Sequence, residues 1–371
     1  MKKVLFVATV VKTHINVFHL PFLKLFQENG YKTYVAAAND MRPDQINIPY
    51  CDEYVEIDFK RNPLKFKNIS AFFNLKKLIK DNDFDIIHCH TPVGGLLGRL
   101  ASLGAKRKNI KVIYTAHGFH FYKGAPIMNW LFYFPVEWIC SFITDVLITI
   151  NKEDYEFAKK HLHPKKLEYV SGVGINNEKF NDIAVNRFDK RAELGIGEDS
   201  IIILSVGELI NRKNHKTVIT AIKELNNERI HYAIVGDGVK RLELQALAEK
   251  LGILDKIHFL GFRKDVAEIY KAADFFCFPS IQEGLPVSLM EAMASGLPCI
   301  VSKVRGNTDL IDSNGGITFN PFSVDDCKLA ILKILSSDTE SMREYNYKKI
   351  EKFGLKSVLA QMERIYFENA K

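Results

Sequence analysis

The sequence lacks paired cysteines, long apolar runs and internal repeats, and each absence excludes a class of protein. Its six cysteines are far apart, at Cys51, Cys89, Cys140, Cys277, Cys299 and Cys327. Because none forms a CxxC pair, we expect neither a cysteine zinc site nor a disulfide framework. No run reaches the roughly eighteen apolar residues of a membrane span, and the apolar start at residues 1–10 is too short for a signal peptide. We expect a cytoplasmic protein that begins with a buried strand.

The composition is that of a globular protein with a modest excess of positive charge. Hydrophobic residues make up 47% and charged residues 26% of the 371 residues, which suits two domains with separate cores. The net charge of +7 is unevenly distributed. Residues 60–80 contain no acid but hold Lys60, Arg61, Lys65, Lys67, Lys76, Lys77 and Lys80. We expect this basic segment to be attracted to an anionic surface.

Apolar runs with the length of strands alternate with helical patterns in both halves of the chain. This alternation predicts right-handed crossovers and a parallel sheet in each half. The predicted fold class is α/β, with two doubly wound Rossmann-like domains facing a central cleft, and ligands are expected beyond the carboxyl ends of the strands. We assign residues 1–175 and 176–354 to the two domains and 355–371 to a helix that packs back on the first. The charged stretch that runs from Ser171 to Asp199 is predicted to connect them.

The segment PSIQEGLPVSLMEAMASGLPCI, residues 279–300, follows a predicted strand. Glu283 and Gly284 lie in a loop, and Pro286 suits the first turn of a helix. The start of such a helix offers free N–H groups and a positive dipole end, which favour a diphosphate. Glu291 lies inside this helix. The spacing lets one carboxylate reach a sugar while the other reaches a ribose.

This segment resembles the paired-glutamate motif of the retaining family 4 glycosyltransferases of the GT-B fold. Two glutamates, EGLP, EAMA and GLP all occur at the spacing of that motif. The resemblance implies that Glu283 holds hydroxyls of a donor hexose and that Glu291 holds the ribose hydroxyls. It also implies that backbone amides near Gly284, Leu285 and Pro286 bind phosphate. Taken singly, Glu291 is also compatible with a surface position and Glu283 with a helix cap.

A second motif, GELINRKNH, places Arg212 and Lys213 on a loop beyond the first strand of the second half. Two cations there can neutralise a departing diphosphate without a metal ion. The resemblance makes Lys213 the phosphate-binding lysine and places Gly207 in the donor site. Many family members carry arginine directly after this glycine, whereas this chain has Glu208, so Arg212 is our candidate for the second cation. Paired basic residues on loops are also common at solvated surfaces.

Histidines mark the predicted strand ends of the first half. His117 follows the strand at residues 111–116, where a neutral imidazole can contact a sugar hydroxyl or developing charge. The resemblance assigns the first-domain histidine of the family to His117 rather than to His120. Candidates for the acceptor side are His14, Asn16, His90 and Gly94.

Two glycine turns follow strands of the second half, at residues 236–238 and 261–263. The second turn, with Phe262 and Arg263, resembles the base-binding edge of the family. Each is equally compatible with an ordinary turn.

Aromatic residues crowd into residues 119–138, as Phe119, Phe121, Tyr122, Trp130, Phe132, Tyr133, Phe134 and Trp138. Rings with polar tips favour a membrane interface, which a lipid-linked acceptor requires. The same rings are equally suited to filling a domain core. Together with the basic segment, they favour peripheral docking on the inner face of the cytoplasmic membrane.

The motifs THINVFHLPF, HCHTPVGGLLGRLAS and TAHGFHFYKGAP resemble bacterial enzymes of capsule and exopolysaccharide assembly. This resemblance implies a hexosyltransferase that moves a hexose or N-acetylhexosamine-type sugar from a nucleotide diphosphate donor, with uridine as the expected base. The acceptor would be a polyprenyl-diphosphate-linked saccharide, bound by the N-terminal domain, while the C-terminal domain binds the nucleotide sugar. We expect no cofactor, no metal ion and no nucleic acid, since no nucleic-acid motif accompanies the basic segment. A nucleotide-sugar epimerase of the same fold and a non-catalytic nucleotide-sugar-binding protein are the alternatives.

Overall fold

The protein is described here by a computed structural model that covers residues 1–42, 46–103 and 109–368. Contacts between Cα atoms divide the chain into unit 1, Met1–Val173 with Val358–Lys371, and unit 2, Gly174–Ser357. Unit 2 begins slightly before the predicted boundary at 175/176, because Ile175 exchanges backbone hydrogen bonds with Phe353 and Leu355. The last residues of the predicted terminal segment, 369–371, lie outside the described residues.

Each unit is built on one parallel sheet. The strands are β1 Lys2–Val10, β2 Tyr31–Ala38, β3 Glu53–Glu56, β4 Ile86–His90, β5 Lys111–Ala116, β6 Val146–Thr149, β7 Lys166–Tyr169, β8 Ile201–Val206, β9 Ile230–Val235, β10 Ile257–Gly261, β11 Phe275–Phe278, β12 Cys299–Ser302 and β13 Gly316–Phe319. Their order is β3-β2-β1-β4-β5-β6-β7 in unit 1 and β10-β9-β8-β11-β12-β13 in unit 2. The predicted doubly wound class is confirmed for both units.

Helices connect the strands. They are α1 Asn16–Phe18, α2 Leu20–Glu28, α3 Lys67–Asp81, α4 Pro92–Ser102, α5 Ile127–Ser141, α6 Lys152–His161, α7 Glu178–Asn181, α8 Arg187–Glu193, α9 His215–Leu225, α10 Arg241–Leu251, α11 Val266–Ala272, α12 Val287–Ala294, α13 Asn307–Leu310, α14 Val324–Leu335, α15 Thr339–Ile350 and α16 Leu355–Phe367. A π-helical turn, Val11–Ile15, follows β1, and a 3₁₀ turn, Asn211–Lys213, follows β8. In the part of the chain that the structure describes, no helix combines the length and apolarity of a membrane span.

Alternating residues of β1 supply both cores of unit 1, as the period of a strand requires. Leu5 and Val7 belong to a cluster that includes residues of α3 and α4, while Val4 and Phe6 belong to a second cluster. The second cluster also contains Val358, Met362, Ile365 and Tyr366 of the last helix, α16. The carboxyl end of the chain therefore completes the core of unit 1.

Glycines let α4 pack directly on the sheet. A Cβ atom on Gly95 would lie 2.3 Å from the Tyr114 ring, and one on Gly94 would lie 3.2 Å from the Cα atom of Ala8. Gly94, a candidate for the acceptor side, thus has a packing role against β1. Buried Arg99 of α4 pairs with Glu137 of α5 at 2.8 Å, which joins the two helices.

Strand order reverses between β1 and β4 in unit 1 and between β8 and β11 in unit 2. In open parallel sheets, ligands bind beyond the carboxyl ends of the strands at such switch points. Residues that follow β1 and β4, or β8 and β11, are therefore the first candidates for function.

The predicted connection to Asp199 is corrected by the structure, because most of this stretch is folded inside unit 2. Its helix α8 packs on α11. Arg191 of α8 donates to the carbonyl oxygens of Glu198 and Ser200 and forms an ion pair with Asp274 at 2.7 Å. These bonds make α8 a structural part of unit 2.

Candidate active site

The switch point of unit 2 brings together three predicted residues. The 3₁₀ turn after β8 carries Arg212 and Lys213, and the loop after β11 carries Glu283. Nη1 of Arg212 lies 2.6 Å and Nζ of Lys213 lies 2.8 Å from the same carboxylate oxygen, Oε1 of Glu283. The two cations and the carboxylate thus form one cluster at the carboxyl ends of adjacent strands.

Hydrogen bonds to backbone carbonyl oxygens hold the two loops of this cluster together. Asn214, in the left-handed conformation with φ 55°, donates its side-chain amide to the carbonyl oxygens of Pro279 and Pro321. The N–H of Ile281 donates to the carbonyl oxygen of Arg212 at 2.9 Å. Asparagine tolerates the left-handed region better than most residues, which explains its place here. Sequence reasoning missed Asn214, although it stands directly after the predicted Lys213.

A third loop, from β12 to α13, supports the backbone of Glu283. Nε of Arg305 donates to the carbonyl oxygen of Glu283 at 3.1 Å. Gly306 has φ 75°, and a Cβ atom there would lie 2.3 Å from the carbonyl oxygen of Gly284. Only glycine permits this approach. Nothing in the sequence pattern pointed to Arg305, since its contact with Glu283 is long-range.

Burial changes the pKa of one cation in this cluster, Lys213. Lys213 is mostly buried over the ring of Phe278, with Nζ 4.4 Å from its centroid. Desolvation lowers the pKa of Lys213, even though Glu283 acts in the opposite direction. The carboxylate of Glu283 offsets one of the two positive charges, so the cluster keeps a net positive charge. An anionic ligand that binds the cations would release the carboxylate to accept hydrogen bonds from hydroxyl groups.

Other predicted donor-site residues border the same loops. A Cβ atom on Gly207 would lie 3.4 Å from Cε of Lys213, so this glycine adjoins the lysine stem. Gly284 and Leu285 lead into Pro286, which occupies the N-cap of α12 without a side-chain capping bond. The helix start lacks the side-chain acceptor that an N-cap serine or aspartate would provide, and this favours an anion there.

Glu291 of α12 lies against α11. Oε2 of Glu291 is 3.1 Å from the hydroxyl of Tyr270, and burial raises the pKa of Glu291 to about 7. Tyr270 had no signal in the sequence, because its contact with Glu291 depends on how α11 packs against α12.

The turn after β10 carries one exposed side chain, that of Phe262, and one that is held in ion pairs, that of Arg263. Phe262 is 80% exposed. Arg263 lies with Nε 2.8 Å from Asp265 and also pairs with Glu193, and these hydrogen bonds raise its pKa. An exposed aromatic ring beyond a strand end is available for stacking on a base.

The switch point of unit 1 brings histidines together. His14 lies in the π-helical turn after β1, His90 ends β4 and His117 follows β5, with Nε2 of His117 3.5 Å from Nδ1 of His90. His19, which sequence reasoning missed, stacks on His90 with ring centroids 3.8 Å apart. Burial lowers the pKa of His117 to about 4 and lowers the pKa values of the other three well below the usual value. All four imidazoles are therefore neutral at pH 7.

Two adjoining cavities of about 250 and 290 Å³ open beside these histidines, both within unit 1. His14, His120 and Thr91 line both cavities, and His117 lines the first. Asn16 donates its amide to the carbonyl oxygen of Asn47 at 3.1 Å and lines neither cavity. A mainly apolar lining that carries a few imidazole and hydroxyl groups suits a saccharide.

Known proteins share this sequence and fold. The family described as Glycosyl transferase 4-like matches residues 3–151, and that described as Glycosyl transferases group 1 matches residues 186–352. The putative glycosyltransferase EpsD of Bacillus subtilis strain 168 is 41% identical, with 84% of this chain and 81% of that protein covered. A UDP-Gal:alpha-D-GlcNAc-diphosphoundecaprenol alpha-1,3-galactosyltransferase of Escherichia coli is 33% identical over 71% and 70% of the two chains.

A solved structure supports the fold. Sucrose-phosphate synthase of Thermosynechococcus elongatus matches with a TM-score of 0.81, 18% identity and 99% of both chains covered. These matches confirm the predicted family, fold class and enzyme class. The chain belongs to the glycosyltransferases of the GT-B fold, with a glycosyl transferase 4-like unit followed by a group 1 unit.

Proposed function

We propose that this enzyme transfers a hexose or N-acetylhexosamine-type sugar from a UDP-sugar, with retention of configuration, to a polyprenyl-diphosphate-linked saccharide in capsule or exopolysaccharide assembly. The observation that carries the proposal is the cluster of Glu283, Arg212 and Lys213 at the switch point of unit 2. It supplies two cations for a diphosphate and one carboxylate for sugar hydroxyls, next to the uncapped start of α12.

In the proposed step, the diphosphate binds Lys213, Arg212 and the first N–H groups of α12. The bond between the anomeric carbon and the diphosphate oxygen breaks, and the acceptor hydroxyl oxygen forms the new bond on the same face. The hydroxyl proton passes to the departing phosphate. Fixed positive charge stabilises the developing phosphate charge, so this step requires no metal ion at the diphosphate.

The remaining donor contacts that we propose are those implied by the family resemblance. Glu291 accepts hydrogen bonds from the ribose, and the exposed ring of Phe262 stacks on the base. The E. coli relative carries UDP-Gal and a diphosphoundecaprenol-linked acceptor in its name, which supports UDP and a lipid-linked acceptor here. On the acceptor side, His117 and His14 line the cavity of about 250 Å³ that would receive the saccharide.

A lipid-linked acceptor requires contact with a membrane, and one face of unit 1 suits this. Helix α4 lies between α3 and α5, and all three pack on the same face of the sheet. Apolar side chains of α5 that stand exposed are Ile127, Met128, Leu131, Phe132, Trp138 and Ile139. Exposed Leu64, Phe66, Ile69 and Phe73 lie at α3 among the basic residues. We call these residues, together with the exposed Lys67, Lys76, Lys77 and Lys80 of α3, the docking face.

The aromatic stretch, residues 119–138, divides between the core and the exposed surface of unit 1, the two positions that the sequence left open. Phe119 and Phe121 are buried in the core, with Trp130, Tyr133 and Phe134 packed against it, whereas Phe132 and Trp138 are exposed. Amphipathic helices with basic neighbours lie in the plane of anionic membranes, so we propose peripheral association through this face.

The transfer reaction is tested by incubating the protein with single UDP-sugars, with and without a lipid extract that contains polyprenyl-diphosphate saccharides. We expect UDP release that depends on both a particular donor and the lipid extract. Conversion of the donor to its epimer without lipid would instead identify an epimerase, and donor binding without turnover would identify a binding protein.

Lys213→Ala should reduce transfer about 100-fold, since it removes one fixed charge from the departing phosphate. Lys216→Ala, an exposed lysine of α9, is the matched control and should retain activity. Transfer at the wild-type rate in Lys213→Ala, with a normal circular dichroism spectrum, would contradict the proposed site.

A further inference from the structure

The histidine cluster of unit 1 has more ring nitrogens than its hydrogen bonds use. His14, His19, His90 and His117 each offer one nitrogen, and these four atoms all lie within 4.8 Å of one another. The residues come from the π-helical turn after β1, the start of α2, the end of β4 and the residue after β5. Four elements of the fold therefore converge on one point.

Buried nitrogens in this cluster have no hydrogen-bond partner among the described residues. These atoms are Nε2 of His14, both ring nitrogens of His19 and Nε2 of His90. Buried polar atoms are satisfied in nearly all native structures, and unsatisfied ones commonly indicate an ion or a water. The cluster therefore requires a partner that lies outside the protein chain.

His88 shows what a satisfied histidine at this site looks like. It is as buried as His19, yet its Nε2 lies 2.8 Å from the Thr115 hydroxyl and its Nδ1 lies 2.8 Å from the Tyr366 hydroxyl. The fold thus provides hydrogen-bond partners for both ring nitrogens of His88 and leaves four ring nitrogens of its described neighbours without them.

We propose that His14, His19, His90 and His117 bind one zinc ion. A set of imidazole nitrogens favours zinc and similar transition metals over magnesium or calcium, which prefer oxygen. Tetrahedral zinc with Zn–N bonds of about 2.0 Å requires nitrogens about 3.3 Å apart. The four nitrogens, which now lie up to 4.8 Å apart, must therefore draw closer by as much as about 1.5 Å when the ion binds. Four protein ligands are typical of structural rather than catalytic zinc.

The ion would fix the π-helical turn to the ends of β4 and β5. A π-helical turn is an irregular element that recurs at functional sites, and here it carries His14 into the wall of both cavities. Zinc would thereby order the wall of the proposed saccharide cavity. The inference does not rest on the transfer reaction, and coordination through one nitrogen of His117 leaves the other for a hydrogen bond.

Equilibrium dialysis of the chelator-treated full-length protein against Zn²⁺, followed by elemental analysis, tests the proposal. We expect one zinc per chain and a melting temperature raised on the order of 5 °C at saturating zinc. His14→Gln should weaken binding at least about tenfold, the loss seen even for outer residues of zinc sites. His231→Gln removes one member of the His231–His258 pair in unit 2 and is the matched control that should keep the zinc.

Cobalt gives a second readout that needs no variant. Co²⁺ in the wild-type protein should show the intense visible bands of tetrahedral coordination, and Zn²⁺ should abolish them by displacement. Binding below half an ion per chain, an octahedral cobalt spectrum, or equal zinc in His14→Gln and His231→Gln would overturn the proposal. Water would then be the partner of these nitrogens.

Discussion

At the scale of single residues, Glu283 and Glu291 of unit 2 have different electrostatic surroundings. Glu283 forms ion pairs with two cations, whereas Glu291 has the Tyr270 hydroxyl as its neighbour and a pKa raised to about 7 by burial. The Glu291 carboxyl therefore titrates near neutral pH. This difference makes Glu291 the residue whose proposed role depends most on pH.

If ionised Glu291 accepts hydrogen bonds from the ribose, donor affinity should rise with pH. Between pH 6 and pH 8, the ionised fraction of a group with a pKa of about 7 rises about tenfold, and the affinity for a UDP-hexose should rise by up to that factor. Calorimetric titration of wild type and Glu291→Gln checks this. The variant should bind more weakly at pH 8 and show a flat profile. UDP itself is unsuitable, because its terminal phosphate titrates near pH 6.

The Glu291 carboxyl should have the opposite effect on the free energy of unfolding, which should fall as the pH rises. Its pKa in the folded state lies above the usual value of 4.5, so the folded state is favoured at low pH, and this contribution is lost as pH rises through about 7. We expect Glu291→Gln to be more stable than wild type by on the order of 1–2 kcal/mol at pH 8, with the difference vanishing below pH 4.5. Urea unfolding at several pH values measures this. Glu249→Gln, at an exposed position of unit 2, is the control, and a similar gain there would refute the assignment.

At the level of elements, the site depends on three loops that touch through their backbones. Gly306 approaches the carbonyl oxygen of Gly284 so closely that any side chain must displace one of the two loops. Because Gly284 adjoins Glu283 and the start of α12, such a displacement reaches the proposed diphosphate site. The loop after β12 therefore positions Glu283 and Gly284, through the Arg305 side chain and the close approach of Gly306.

Gly306→Ala should consequently lose both stability and donor binding. We expect a loss of about 2–3 kcal/mol in the free energy of unfolding, from left-handed strain plus the clash, and at least tenfold weaker UDP binding. Gly252→Ala is a matched control, since φ is 67° there and nothing lies within 4 Å of the added Cβ atom. It should lose only the strain, about 1 kcal/mol, and keep UDP affinity. Equal losses of affinity in the two variants would show that loop contact has no part in binding.

The central strands and the edge strand β10 were predictable from the sequence, whereas the edge strands β3, β7 and β13 were not. Runs such as IIILSV and KVIYTA are buried on both faces and therefore read as continuous apolar strands. The edge strands β3, β7 and β13 are short and carry polar residues, as in EYVE, so their pattern does not differ from that of a loop. The π-helical turn likewise has no compositional signal.

Among the site residues, those that stand in recognisable motifs were predictable from the sequence and the others were not. Glu283 and Lys213 stand in motifs whose spacing survives in the sequence, and the structure joins them at 2.8 Å. Tyr270 stands in no such motif, and His19 lies within THINVFHLPF without a predicted role, because each acquires its neighbours only when separate elements pack together. An isolated histidine at the start of an apolar helix is indistinguishable from an ordinary core residue until the fold places His90 against it.

At the scale of the whole molecule, the docking face is the surface through which we propose that the enzyme reaches a lipid-linked acceptor. Exposed apolar side chains of α5 and the basic residues of α3 flank α4 on one face of unit 1. Apolar insertion and attraction to anionic lipid would both contribute, and each basic residue near the surface adds about 1 kcal/mol. Removing either contribution should therefore weaken binding without affecting the chemistry.

The docking face is tested by flotation with phosphatidylglycerol and phosphatidylcholine vesicles. We expect the wild type to float with anionic vesicles only. The double variants Leu131→Ser with Phe132→Ser, and Lys76→Glu with Lys77→Glu, should each lose at least about tenfold in binding. Phe188→Ser with Phe322→Ser removes two exposed aromatic rings of unit 2 and is the matched control that should float normally.

Measurements of transfer to two different acceptors distinguish an effect on membrane docking from an effect on catalysis. With acceptor embedded in anionic vesicles, both docking-face variants should lose transfer in proportion to their lost binding, because the acceptor no longer shares a surface with the enzyme. With a short-chain, water-soluble acceptor, they should match the wild type, since Lys213 and Glu283 lie in unit 2 and are unchanged. Equal loss on both acceptors would indicate damage to the fold or the cavity, and equal retention on both would show that another surface brings the enzyme to its acceptor.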